Sequence, residues 1–121
     1  MIDHISLQVD DIEVCMAWYS AFLHPLGYGT VADFGDTVGY GPHGGSPSFW
    51  IGKATDPGGR QTHVAFQAES RAVVDEVHAV AVALGLEILH EPREWPEYHP
   101  GYYAVFVRDP QGNNIEAVCH R

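Results

Sequence analysis

Positive charge is scarce in this chain: Lys and Arg total 6 against 16 Asp and Glu, a formal net charge of -10. Such a surface repels phosphate backbones and anionic headgroups, which argues against nucleic-acid and membrane-surface partners. Cysteine is scarcer still. Cys15 and Cys119 are only two, too few for the disulfide framework of a small secreted domain, so a reduced, cytoplasmic setting is expected. No apolar run approaches membrane-spanning length, and the opening Met1-Ile-Asp-His4 lacks the basic and apolar stretches of a signal peptide. Glycines are present, but Gly39, Gly41, Gly44, Gly45, Gly58 and Gly59 have no phosphate-loop spacing and no following Lys-Ser/Thr, which leaves nucleotide binding unsupported.

What the chain does have is a repeat. His4-Ile-Ser-Leu-Gln-Val9 reads against His63-Val-Ala-Phe-Gln-Ala68, and Leu26-Gly27-Tyr28 against Leu84-Gly85-Leu86 in nearly the same register. At 121 residues and 45% hydrophobic the chain has the size of one domain, residues 1–121, built from two copies of one unit. Module 1 runs over about 1–55 and module 2 over about 60–121, joined through the turn-rich Asp56-Pro57-Gly58-Gly59.

Each copy follows the same programme. Ile5, Leu7 and Val9 alternate with His4, Ser6 and Gln8, the period of a half-buried strand. Asp10, with Glu13 three residues on, resembles a capping box before a helix whose stripe is Ile12, Cys15, Met16, Tyr19, Phe22 and Leu23. Pro25 and Gly27 stop it, and strands are predicted near 28–33, 37–41 and 47–52. In the second copy Val64 and Phe66 alternate with His63, Ala65 and Gln67. Ser70 can cap a helix with the stripe Val73, Val77, Val80 and Leu84, ended by Gly85. Strands near 86–91, 102–108 and 113–119 follow, the last two joined by Asp109-Pro110-Gln111-Gly112 as a type I hairpin turn. The expected fold is α+β: two βαβββ modules paired into a curved mixed sheet with helices on its outer face. The apolar sides of the first strands face the helices, so His4 and His63 point to the concave face.

Glu116 is an acid within an otherwise apolar-to-neutral strand, and a buried carboxylate needs a compensating charge or metal. With His4 and His63 it makes a two-histidine, one-carboxylate set that leaves open metal positions. Gln8, Gln67 and Asn114 share those faces and could support the ligands. The competing reading pairs Glu116 with Arg108 across the hairpin. Cys119 and Cys15 read as core, and His24, His43, His78, His90 and His120 as solvated. Around the loop 92–101, alternation separates Tyr103, Val105 and Val107 from Tyr102, Ala104 and Phe106, so one tyrosine reaches the cavity. We assign His99 and Tyr103 as candidate proton-transfer groups, and Trp50, Tyr102, Gln8 and Gln67 as candidate substrate contacts.

The whole chain resembles the vicinal oxygen chelate superfamily of glyoxalase I, bleomycin resistance proteins and extradiol dioxygenases. The carriers are the two strand-opening histidines, the helix from Trp18-Tyr19 to Leu26-Gly27-Tyr28, and above all Phe106-Val-Arg-Asp-Pro-Gln-Gly-Asn-Asn-Ile-Glu116. Tyr98-His-Pro-Gly-Tyr-Tyr103 looks like a small bacterial branch of it. The resemblance implies metal ligation by His4, His63 and Glu116. Glyoxalase I-type members carry a fourth ligand where Ser48-Phe-Trp-Ile51 places Trp50, and tryptophan cannot ligate, which moves the set towards the dioxygenase pattern. It further implies a divalent metal (Fe2+ or Mn2+, alternatively Zn2+ or Ni2+), a homodimer, and a lyase, isomerase or ring-cleaving oxygenase acting on a small substrate with two adjacent oxygens. The alternatives are a non-catalytic ligand- or drug-binding protein of the bleomycin-resistance type, and a metal-free structural domain with vestigial histidines.

Overall fold

The computed structural model describes residues 2–55, 58–59 and 61–121. Its element order is β1 (Ile5–Val9), α1 (Ile12–Leu23), a 3-10 turn (His24–Leu26), β2 (Tyr28–Asp33), β3 (Thr37–Pro42), β4 (Phe49–Lys53), β5 (His63–Gln67), α2 (Arg71–Ala83), β6 (Glu87–Glu94), β7 (Tyr103–Arg108) and β8 (Asn114–Cys119). This is βαβββ twice. The strands hydrogen-bond as two four-stranded mixed sheets, ordered β1-β4-β3-β2 and β5-β8-β7-β6. The chain divides into two compact units, Met1–Arg60 and Gln61–Arg121. No helix among the described residues is long and apolar enough to cross a membrane.

In the first unit, β1 pairs parallel to β4 and β3 antiparallel to β4. The α1 N-cap is Asp11, whose carboxylate accepts from the Val14 N–H at 3.1 Å, in place of the expected Asp10. Asp11 has the extended backbone that a cap requires, and the helix therefore starts one residue later. Cys15, Trp18, Tyr19, Phe22 and Leu23 form its buried stripe. Tyr19 packs against Phe49 at 5.0 Å and Tyr40 at 6.4 Å, which fixes the helix on β3 and β4.

The second unit repeats this. Ser70 caps α2, its hydroxyl accepting from the Val73 N–H at 3.3 Å. The buried stripe is Val74, Val77 and Ala81, whereas the expected Leu84 is 58% exposed. Leu84 is displaced because the helix has already closed: Leu86 N–H reaches Ala81 O at 2.9 Å and Gly85 N–H reaches Val82 O at 3.1 Å. Gly85 carries φ +68°, the left-handed conformation this closure needs. Strand β6 runs to Glu94, beyond its expected end near 91. Pro92 is accommodated because β6 is the sheet edge and its register shifts between His90 and Arg93.

The β7–β8 hairpin turns at Asp109–Gly112, with Gly112 N–H on Asp109 O at 3.0 Å. The buried Asp109 carboxylate accepts from Gln111 N–H, Asn113 N–H and Asn113 Nδ2 at 2.9, 2.7 and 2.9 Å. Those bonds hold the turn and set the β8 register.

Candidate functional site

Register decides which side chains meet in the second unit. Strand β8 lies between β5 and β7, with Ala65 opposite Glu116 on one side and Phe106 opposite it on the other. Glu116 therefore shares a face with Phe106, Ala104 and Val118. Trp95, Ala104, Phe106 and Val118 are a buried cluster there, with Leu89 and Tyr102 packed against it. Glu116 is buried, with 1% of the residue exposed.

Its two oxygens have different partners. Oε1 accepts a short hydrogen bond from the Tyr102 hydroxyl. Oε2 lies 3.0 Å from His63 Nε2. Burial, and then this bond to Glu116, push the Tyr102 phenol well above the ordinary tyrosine range. Arg108 is not a partner of Glu116: its Nε is 2.7 Å from Glu87 Oε2. The expected alternative ion pair across the hairpin is thereby replaced by one to the neighbouring edge strand, where Glu87 stands opposite Arg108.

The His63 ring is oriented from behind. Nδ1 is 3.0 Å from the Asn114 carbonyl, which only accepts, so Nδ1 carries a proton and Nε2 faces the carboxylate. A neutral Nε2 and a carboxylate oxygen are both acceptors, and at 3.0 Å they require a positive charge between or upon them. A proton on Nε2 supplies it; so does a divalent cation held by both. Donor atoms at this separation suit two adjacent positions around a cation with bonds of about 2.1 Å. Asn114 Oδ1 is the one buried side-chain oxygen among the described residues with no hydrogen bond, and alternation puts Asn114 on the Glu116 side of β8.

Tyr102 and Tyr103 lie on opposite faces. The Tyr103 hydroxyl donates to Asp75 Oδ1 of α2 at 2.7 Å, and that bond, then burial, push its pKa up to about 12. The phenol at the carboxylate is Tyr102, while Tyr103 faces the helix. His99 Nε2 is 3.0 Å from His120 Nδ1, and both rings meet Tyr102 edge-on at 5.2 and 5.3 Å. His120 and His90 are exposed, as expected, but each has ring partners: His120 meets His99, and His90 packs against Trp95 and Phe106 at 5.1 and 5.5 Å. Sequence alternation extended past Cys119 could have found His120 beside Tyr102, since Tyr103 pairs with Cys119 at the end of the ladder. Gln67 is exposed on β5.

The first unit carries the other predicted residues. His4 is exposed, its Nδ1 2.6 Å from Asp3 Oδ1. Gln8 Nε2 is 3.5 Å from Ser6 Oγ. Trp50 pairs with Ser6 just as Glu116 pairs with Ala65, which makes Trp50 the counterpart of Glu116 in the repeat. Its ring stacks on Phe34 at 6.2 Å and leaves no room for a side chain at Gly39, where an added Cβ would lie 2.8 Å from the indole. Among the described residues no three His, Cys, Asp or Glu side chains gather into a group that could hold a metal ion. His63 and Glu116 are a pair formed within one unit.

Residues 1–117 match the family model described as the Glyoxalase/Bleomycin resistance protein/Dioxygenase superfamily. A glyoxalase/bleomycin resistance protein from Albidiferax ferrireducens T118 is similar in structure, with a TM-score of 0.79, 29% identity and 97% of each chain covered. A lactoylglutathione lyase from Agrobacterium tumefaciens aligns with a TM-score of 0.73 and 26% identity over 98% of this chain and 92% of its own. An uncharacterized protein of Bacillus subtilis (strain 168) is 29% identical over 96% of both chains.

Proposed function

Since the chain belongs to the Glyoxalase/Bleomycin resistance protein/Dioxygenase superfamily, we propose that it is a metal-dependent enzyme. Its substrate in this reading is a small molecule that chelates a divalent metal through two adjacent oxygens. Members of the superfamily commonly use divalent metals. One observation carries the reading: His63 Nε2 and the buried Glu116 Oε2, two acceptors 3.0 Å apart with the imidazole proton directed away to Asn114 O. His4 is the third ligand of this reading, and the Asp3 carboxylate on its Nδ1 orients the other ring nitrogen for a metal.

A bound divalent cation would act as a Lewis acid on substrate oxygens and favour an enediolate-like or catecholate form, the basis of lyase, isomerase or ring-cleaving oxygenase chemistry. The protein's own residues do the remaining work. Tyr102 holds one oxygen of Glu116 and leaves the other free to ligate. Phe106, at 6.1 Å and 20° from the His63 ring, and Trp95 give the Glu116 side of the site an apolar wall. Asn114 Oδ1, buried on the Glu116 side of β8 without a hydrogen bond, is a polar atom this site leaves unpaired. His99 belongs to the proton-handling side of the site. Fe2+ or Mn2+ suits the two-histidine, one-carboxylate set, with Zn2+ or Ni2+ as alternatives. The reading includes a homodimer, which sedimentation tests.

Metal content after dialysis against each of these ions tests the proposal. About one metal per chain is expected, with a loss of affinity of at least about tenfold in His63→Ala. Less than about one-tenth of a metal per chain overturns it. That outcome favours the competing reading, a non-catalytic ligand-binding protein, which draws on Trp50 standing as an aromatic wall where the other unit has Glu116.

A further inference from the structure

His99 and His120 form a dyad beside Tyr102, and the hydrogen-bond network allows its protons to be assigned. The His99 Nδ1 is 2.8 Å from the Pro100 carbonyl. A carbonyl only accepts, so Nδ1 is protonated, and the neutral ring then has a bare Nε2. That Nε2 lies 3.0 Å from His120 Nδ1, which must donate to it. The rings are 5.2 Å apart and inclined by 22°, which with the short nitrogen separation sets them edge to edge and nearly coplanar. The bond therefore lies in both ring planes, the favourable direction for an imidazole lone pair. The only nitrogen of the dyad left with a free lone pair is His120 Nε2.

The backbone is shaped to make this contact. The β7–β8 ladder ends at Tyr103 opposite Cys119, so the next residues outward, Tyr102 and His120, lie side by side. Gly101 lets the loop reach the tail: its φ is +86°, and an added Cβ would meet His120 O at 3.1 Å. Tyr102, in edge contact with both imidazoles, is the residue whose hydroxyl holds Glu116.

We propose that the proton-accepting atom of this site is His120 Nε2 and that His99 is a positioning residue for it. A proton from substrate binds the free lone pair of His120 Nε2 and makes the ring an imidazolium. Its Nδ1 proton can then cross to His99 Nε2, which leaves His120 neutral with Nε2–H and places the single positive charge on His99, next to the Pro100 carbonyl. One proton enters and one positive charge results, so the dyad stores a proton away from the carboxylate. This assignment rests on the catalytic reading above for its purpose, but its test does not use metal.

Two measurements on the metal-free protein test it. Long-range 15N–1H correlation at about pH 8.5, above the ordinary histidine range, with ring signals assigned through His99→Gln and His120→Gln, should show Nδ1–H and a bare Nε2 in both rings. A His120 ring protonated at Nε2 with a bare Nδ1 overturns the proposal. Diethyl pyrocarbonate, which attacks bare imidazole nitrogens, should modify His120 about tenfold faster than His99, the factor expected for one hydrogen bond of ordinary net strength. Both side chains belong to exposed residues, so exposure does not explain such a difference. In His120→Ala, which removes the donor, His99 should become reactive. Equal rates at the two histidines in the wild-type chain also overturn the proposal. A protein that binds no metal yet passes both measurements would refute the metal reading while leaving the dyad intact.

Discussion

Replacing Glu116 by glutamine separates what this residue does for the fold from what it does for a metal. In the protein without metal, the Glu116 side chain is 2% exposed and its charged partner, the His63 side chain, is half exposed. A buried ion facing a solvated counter-ion loses hydration without gaining the full Coulomb attraction of a dry pair. A glutamine of the same shape keeps an oxygen for the Tyr102 hydroxyl and presents an N–H to the bare His63 Nε2 at the 3.0 Å now held by Oε2. Both bonds survive and the charge disappears. His63 is left neutral, with its Nδ1–H still on Asn114 O, so no orphaned charge remains. The expected change is a gain of about 1 kcal/mol, at the low end of what replacing buried charges yields. It raises Tm by about 3–5 °C for a chain of this size. Glu116→Ala, by contrast, loses both bonds and leaves a cavity, a cost of about 2–4 kcal/mol. Metal affinity should fall at least about tenfold in both variants, because a neutral amide is a poor substitute for a carboxylate ligand. Thermal unfolding of the metal-free chains and metal titration of the same samples give both quantities. A glutamine variant that loses more than about 2 kcal/mol refutes the hydrogen-bond assignment. One that keeps wild-type metal stoichiometry and affinity refutes the ligand assignment.

Other expectations follow from single contacts. Ser70→Ala removes the α2 cap and should cost about 1 kcal/mol, read as a lowered denaturant midpoint with unchanged slope. Asp109→Ala strips three donors of their buried acceptor and should cost about 3 kcal/mol, more than any surface carboxylate, by the same assay. Because the Tyr103 pKa is raised to about 12, the folded state holds that proton more tightly than the unfolded one does. Its contribution is thus complete below the ordinary tyrosine range near 10 and is lost as pH rises towards 12. Stability should fall across that alkaline window, and Tyr103→Phe should flatten the fall. Gly101→Ala should separate His99 from His120 through strain at φ +86°, seen as loss of the inter-ring hydrogen-bond signature in 15N spectra.

Much of the fold was legible because local chemistry agreed with it at each step. Ser70 caps α2, the alternation at Ile5–Val9 marks β1, and Asp109–Gly112 turns as its residues require. The misses were local contests between near-equals. Asp10 and Asp11 are both competent caps, and one extended backbone decided between them. Val73 and Val74 both suit a helix face, and it is Val74 that is buried with Val77 and Ala81.

By itself the sequence determined the two helices, the strand period and the presence of Glu116 on an apolar strand, since each depends on residues within a few positions of one another, and the duplication, since the same local pattern is written twice. Tertiary structure alone decided the partners. It gave Arg108 to Glu87, Tyr102 rather than Tyr103 to Glu116, and His120 to His99. Period-two alternation divides side chains into two faces without saying which face meets a helix or what stands opposite. That information lies in strand register and in the path of the loop at 95–102, where the proton of one imidazole is fixed by a neighbour 21 positions away.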